Sequence, residues 1–495
     1  MLTAHVPYLR SSEAASFHED ELHETTASSL IPILNALFHL RDAHIKPIVS
    51  LAFSPVFLDQ LSDPTVQQRF ISWMKRWIQA KQTALAYWNN QQAAHISYLT
   101  QFYIDWGQNI LTAFTENYGA NLVTALREVC VEGAEPLACA ATPSYLPMLD
   151  RASIAMQLHV GQFSIARHFM QTAHTLWLAG YGYYNSMLSD ILQSNIRTII
   201  LDPHRIADAT THHFSIGLLN KTRLKVMSYD EHLLEHVWPA EIGYAGDALY
   251  RSGQHDVHTK LPLWRTGLSG TGTELYEPYD AFRRAAEHGR HFASVVINAL
   301  DQYFVSHQRP GIAIVPIDIE LLGRNWFEGP IWLRSVIEHI NEHPRIVLTT
   351  PNSYQHRYPM RGEWQLVDDS RIHNGGKQPW NIPSGPRLPM ALRDLAQRIQ
   401  VLVKAWPDAT GIREQALNQT VRELLLAQSL DWTGIKPRHF SPSTLQRSQV
   451  HLQRAEQLCT MLEDPYISTS NRDILANFEA LDNPFPHINY RTFAV

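Results

Sequence analysis

Charge and cysteine are both scarce in this 495-residue chain. Asp, Glu, Lys and Arg make up 18% of it and the formal net charge is −6. It therefore lacks the concentrated Lys and Arg on which binding to a phosphate backbone depends, and no nucleic-acid partner is expected. Cys130, Cys139 and Cys459 are an odd set with no framework spacing, so a disulfide scaffold is not expected and a reducing, cytoplasmic setting is. No stretch reaches the apolar length of a membrane span. The N-terminus runs at once into the strand-like Leu2-Thr3-Ala4-His5 without a secretory pattern, so no membrane partner is expected either. A more local absence bears on chemistry: between Asp150 and Asp190 there is no Asp or Glu.

What is present suits an α/β protein. Apolar residues make up 45% of the chain, and its length allows one large domain with helical additions. Short β-rich runs occur at 47–52, 198–202, 312–316 and 345–350, each ending in polar or small residues. Such runs, separated by helical stretches, predict buried parallel strands with helical crossovers, closing into an α/β barrel with active-site residues at the C-terminal strand ends. Between 64 and 128 aromatics recur at helical spacing: Phe70, Trp73 and Trp77, then Tyr98, Phe102 and Trp106. They are either a buried stripe docking helices onto the barrel or a sugar-stacking platform. After Pro383-Ser384-Gly385-Pro386 the strand signal ends and helical patterns fill the remainder, so a boundary is expected at 386 and a helical domain over 387–495.

Five separated segments carry a family likeness. They are Thr3-Ala4-His5-Val6-Pro7-Tyr8; Cys139-Ala140-Ala141-Thr142-Pro143-Ser144-Tyr145; Trp177-Leu178-Ala179-Gly180-Tyr181-Gly182-Tyr183; Pro316-Ile317-Asp318-Ile319-Glu320-Leu321-Leu322-Gly323-Arg324-Asn325-Trp326; and Leu424-Leu425-Leu426-Ala427-Gln428-Ser429-Leu430-Asp431-Trp432. In order and spacing they resemble the motifs of glycoside hydrolase family 57, in particular its 1,4-α-glucan branching enzymes. The resemblance implies an incomplete (β/α)7 barrel over 1–386 with a helical insertion around 64–128, followed by the C-terminal helical domain. It also implies an α-glucan polysaccharide or maltooligosaccharide as the molecule bound, and no cofactor or metal.

The same resemblance assigns roles. Asp318 matches the family's general acid/base. Gly180 stands where the family has its glutamate nucleophile, and glycine can neither attack an anomeric carbon nor carry the glycosyl intermediate that a retaining mechanism requires. Thr3, Pro143 and Arg324 stand where the family has histidines. His5, Tyr8, Trp326, Asp431 and Trp432 match retained positions and are the expected substrate-binding residues. Two readings follow: a non-catalytic glucan-binding or regulatory protein, or an active branching enzyme or α-amylase-like hydrolase whose second carboxylate has moved, with Glu135, Glu241 and Glu320 as candidates.

Histidine is frequent, with 26 residues. His232, Glu235 and His236 reproduce the His-x-x-Glu-His order of an inverted zinc-protease signature. The pattern is short, and no further ligand can be identified from spacing, so surface or hydrogen-bonded histidines are expected there.

Overall fold

The structure is a computed structural model. It describes residues 1–10, 17–207, 213–219, 222–238, 242–257, 259–267, 274–358, 360, 362–366, 387–429 and 442–494. The boundary expected at 386 lies outside the described residues, as do Glu241, Asp431 and Trp432.

Nine short strands are described: β1 Leu2–Ala4, β2 Ser50–Phe53, β3 Glu135–Pro136, β4 Thr175–Trp177, β5 Thr198–Leu201, β6 Ile216–Leu219, β7 Lys225–Ser228, β8 Ile317–Asp318 and β9 Glu363–Trp364. Parallel pairing runs β8-β1-β2-β3, and separately β4-β5-β7. A parallel bridge between Ala138 and Leu176 joins β3 to β4. The result is one row of seven parallel strands. β6 lies antiparallel on β7 and carries β9. Between β7 and β8 the Asp230 N–H donates to the Ile314 carbonyl at 2.8 Å and no ladder forms among the described residues, so the row closes only incompletely. Strands β2 and β5 are buried throughout, as expected where helices cover the outer face of a parallel sheet.

Two expected strands differ. The 312–316 run is extended but unladdered, and pairing begins only at Ile317. Residues 346–350 form no strand either. There Thr350 caps helix Pro351–Arg357, its hydroxyl accepting from the Ser353 N–H. An apolar run packed on the core looks alike in sequence whether or not it joins a ladder.

The segment after β2 holds helices Pro64–Asn90, Ala94–Thr112 and Leu122–Val131. Pro64 opens the first, where its missing N–H costs nothing, and the Asp63 carboxylate caps it by accepting from the Thr65 N–H. Most of the aromatic stripe packs on the core: Phe70 is buried, Trp77 meets Trp106 edge-on, and Trp106 packs on Phe327, while Tyr98 is exposed. Helices Arg387–Ala405, Ile412–Ala427, Pro442–Glu463 and Thr469–Leu481 follow. Their apolar cluster also takes in Tyr8, Val56, Ala141, Ala152, Met156 and Val160, so the C-terminal helices share one core with the segments following β1, β2 and β3.

Candidate active site at the strand ends

Five side chains meet in a chain of contacts across the C-terminal ends of β1, β4, β5 and β7. His5 directly follows β1. Its Nε2 accepts a 2.8 Å hydrogen bond from Trp177 Nε1 at the end of β4. An indole N–H only donates, so Nε2 carries no proton and the neutral ring holds its hydrogen on Nδ1. Burial reinforces this by lowering the His5 pKa to about 4. Among the described residues, the buried His5 Nδ1 has no hydrogen-bond partner.

The Trp177 ring meets Tyr181 edge-on at 4.8 Å, and Tyr181 packs on Tyr229 at 4.7 Å. Tyr229 donates to Asp202 Oδ2 at 3.2 Å, and Asp202 Oδ1 accepts from the His204 N–H at 2.8 Å. Burial raises the Asp202 pKa above the usual carboxylate range. The Tyr181 and Tyr229 hydroxyls are likewise held protonated, first by burial. For Tyr181 the negative charges of Asp202 and Asp318 add to this.

Asp318 ends β8, in register with Thr3 of β1. Its Oδ1 accepts from the Glu320 N–H at 2.8 Å, which fixes the carboxyl on its own turn. Arg324 engages acidic groups: Glu320 at 2.8 Å, Glu21 at 3.3 Å and Glu24 at 3.5 Å. Thr25 also donates to Glu320 at 2.9 Å. Glu320 is thus already paired, and Glu135 is buried in bonds to the Asn352 N–H and Thr175.

Gly180 lies in a short turn between Ala179 and Tyr181, closed by the Tyr181 N–H bond to the Leu178 carbonyl at 2.9 Å. Its φ is +62° and that of Tyr181 is +54°. Two successive left-handed residues are unusual, and only the first is glycine. Gly182 then lies against the Tyr145 ring, where an added Cβ would come within 2.3 Å of a ring carbon.

Two of the expected substrate-binding residues are buried. Trp326 is 1% exposed, wedged between Tyr250 and Trp332. Tyr8 is 6% exposed and donates its hydroxyl to the Leu481 carbonyl at 2.9 Å, beside the His451 ring. Neither offers a free ring face. The His-x-x-Glu-His segment forms no ligand group among the described residues: His232 pairs with Glu235 at 3.7 Å while His236 stacks on Tyr244. One group with ligand-like spacing, Glu423, His451 and Asp482, lies buried in the C-terminal helices, but Arg454 already pairs with Asp482 there. Sequence reasoning missed Trp177, Tyr181, Tyr229 and Asp202. For three of them the available signal was position, since Trp177 closes β4 while Asp202 and Tyr229 directly follow β5 and β7; Tyr181 lies four residues past β4 and had no such signal.

The residue 1–366 segment matches the model of glycosyl hydrolase family 57, and 391–493 matches that of the 1,4-alpha-glucan branching enzyme C-terminal region. The chain belongs to glycosyl hydrolase family 57. It is 24% identical to 1,4-alpha-glucan branching enzyme TK1436 of Thermococcus kodakarensis, over 98% of this chain and 76% of that one. A probable 1,4-alpha-glucan branching enzyme of Mycobacterium tuberculosis is also 24% identical, over 87% of this chain and 85% of the relative. Among solved structures, the α-amylase AmyC of Thermotoga maritima superimposes with a TM-score of 0.88 at 23% identity, over 100% of this chain and 98% of that one. The Thermococcus branching enzyme does so with a TM-score of 0.89 at 21% identity, over 100% and 96%. The fold is therefore that of the family's solved α/β structures, with a helical C-terminal region. No helix among the described residues is long and apolar enough to cross a membrane.

Proposed function

We propose that this chain is a non-catalytic member of its family that binds α-glucan, as a polysaccharide or maltooligosaccharide, and acts as a binding or regulatory protein in cytoplasmic glycogen or starch metabolism. One observation carries the reading: at the end of β4, where the family's resemblance calls for a nucleophilic carboxylate, the chain has Gly180 in a left-handed turn. A retaining mechanism without its attacking carboxylate has no covalent intermediate, and such losses cost several powers of ten in rate. A slip of alignment does not supply the missing group, because no Asp or Glu lies between Asp150 and Asp190. The glucan is proposed from family membership and from the branching activity named for the relatives. His5, Trp177, Tyr229 and Asp202 gather aromatic and polar side chains at the strand ends, the mix of groups that a neutral-sugar site uses, with Trp177 and Tyr229 as buried as Tyr8 is.

A second reading, an active branching enzyme or α-amylase-like hydrolase with a relocated carboxylate, is favoured by Asp202. It ends β5, is buried, and acts on the same Tyr181 hydroxyl as Asp318 does. An inverting pair needs its carboxyls about 6.5 to 9.5 Å apart, with a water between them. Assays of amylose branching and hydrolysis, beside maltoheptaose binding on the same preparation, separate the two. Binding without turnover supports the first reading. Turnover lost in both Asp202→Asn and Asp318→Asn would establish the second.

A further inference from the structure

In a retaining glycosidase the two carboxyls stand on either side of the scissile bond, about 5 to 5.5 Å apart. The sugar ring undergoing attack lies between the β4 end and the acid on β8. In this chain Tyr181 directly follows Gly180 at the β4 end. The successive left-handed residues Gly180 and Tyr181 turn the backbone, and the turn is seated by the close approach of Gly182 to Tyr145. The Tyr181 ring packs between the residue that closes β4 and the one that follows β7. Trp177 holds the ring from one side and Tyr229 from the other. Each partner is tied in turn to a further strand end, Trp177 to His5 and Tyr229 to Asp202. Tyr181 also packs against a cluster built from β2, β4, β5, β6 and β7, with Ala52, Ile200, Ile216 and Met227 among its members, and Asp318 ends β8 beside β1, whose following residue His5 holds Trp177.

We propose that Tyr181 fills the sugar subsite next to Asp318, so that α-glucan can occupy the mouth only outside that subsite. Tyr181 is then a specificity-determining residue. It excludes the one sugar position at which cleavage would occur and leaves the flanking positions to hold chain. The inference rests on the α-glucan reading of the same site. It adds that the loss of the nucleophile and the filling of its subsite are one change in one turn.

The test is isothermal titration of the full chain with maltoheptaose, comparing wild type, Tyr181→Phe and Tyr181→Ala. Tyr181→Phe keeps the ring and should bind as wild type does. Tyr181→Ala opens the subsite and should bind at least about fivefold more tightly, the gain expected from one additional sugar contacting aromatic surface. If a folded Tyr181→Ala chain binds no more tightly than wild type, the proposal is overturned. Should that variant fail to fold, a crystal of the wild-type chain soaked in maltoheptaose decides. Sugar rings only away from Asp318 agree with the proposal, whereas a ring in contact with Asp318 while Tyr181 keeps its place overturns it. The two readings fail differently: wild type binding with Tyr181→Ala no tighter removes the plug alone, and silence from every chain removes the glucan reading with it.

Discussion

Trp177 donates its indole N–H to His5 Nε2 at 2.8 Å, tying the end of β4 to the end of β1 through an imidazole that must be neutral. The linkage consequence has a definite sign. The His5 pKa falls from 6.5 to about 4 on folding, so between those values the unfolded chain binds more protons and stability rises with pH. That contribution is lost as the pH falls through the same window. His5→Gln, which keeps a side-chain acceptor for Trp177 but cannot titrate, should flatten the dependence of the urea midpoint on pH between about 6.5 and 4. Parallel curves for wild type and variant would contradict the assignment.

Restoring the family glutamate should not restore the enzyme. At φ +62° a residue with a Cβ is disfavoured, by about 1 to 2 kcal/mol for the left-handed region. The Tyr181 ring would still lie beside the new carboxylate. Gly180→Glu should therefore lower the melting temperature by about 1 to 2 °C and give no amylose turnover. Calorimetry and a reducing-end assay on one preparation check both outcomes.

The C-terminal helices hold a buried carboxyl with the opposite pH behaviour. Burial pushes the Glu423 pKa from 4.5 up to about 7. Between those values the folded chain binds more protons than the unfolded one, so this contribution falls as pH rises. Glu423→Gln removes the term while keeping the shape. Its stability relative to wild type should increase from about pH 4.5 to about pH 7 and level off above that, read from paired denaturant midpoints. A constant difference would mean that Glu423 is ionised throughout that range.

Tyr8 should matter for packing alone. Tyr8→Phe deletes the 2.9 Å bond to the Leu481 carbonyl and leaves that acceptor unpaired on this side, a loss of about 1 kcal/mol. Its ring is buried, so maltoheptaose affinity should be unchanged. A drop in affinity with unchanged stability would return Tyr8 to the sugar site.

How far the sequence could be read depended on the range of the interactions involved. Runs such as Thr198–Leu201 announce a buried strand locally, and Asp202 at its end could have been chosen on the rule that barrel strands end in functional groups. Tyr8 and Trp326 could not be assigned that way, because what covers them comes from Leu481, His451, Tyr250 and Trp332, all remote in sequence or fixed only by packing. Arg324 was legible as a substitution but not as part of an acidic cluster, since Glu21 and Glu24 approach it from another helix. The absence of Asp and Glu between Asp150 and Asp190 was visible at once. The left-handed turn that directs Tyr181 inward was not, since positive φ at a non-glycine residue leaves little trace in sequence.

The most direct measurement is the full chain incubated with amylose, with new reducing ends and new branch points both followed to the detection limit. With Gly180 in the nucleophile position, neither should form above a protein-free blank. Formation of either product, at a rate abolished by Asp318→Asn, would contradict the account and show that a second carboxyl has taken over the chemistry.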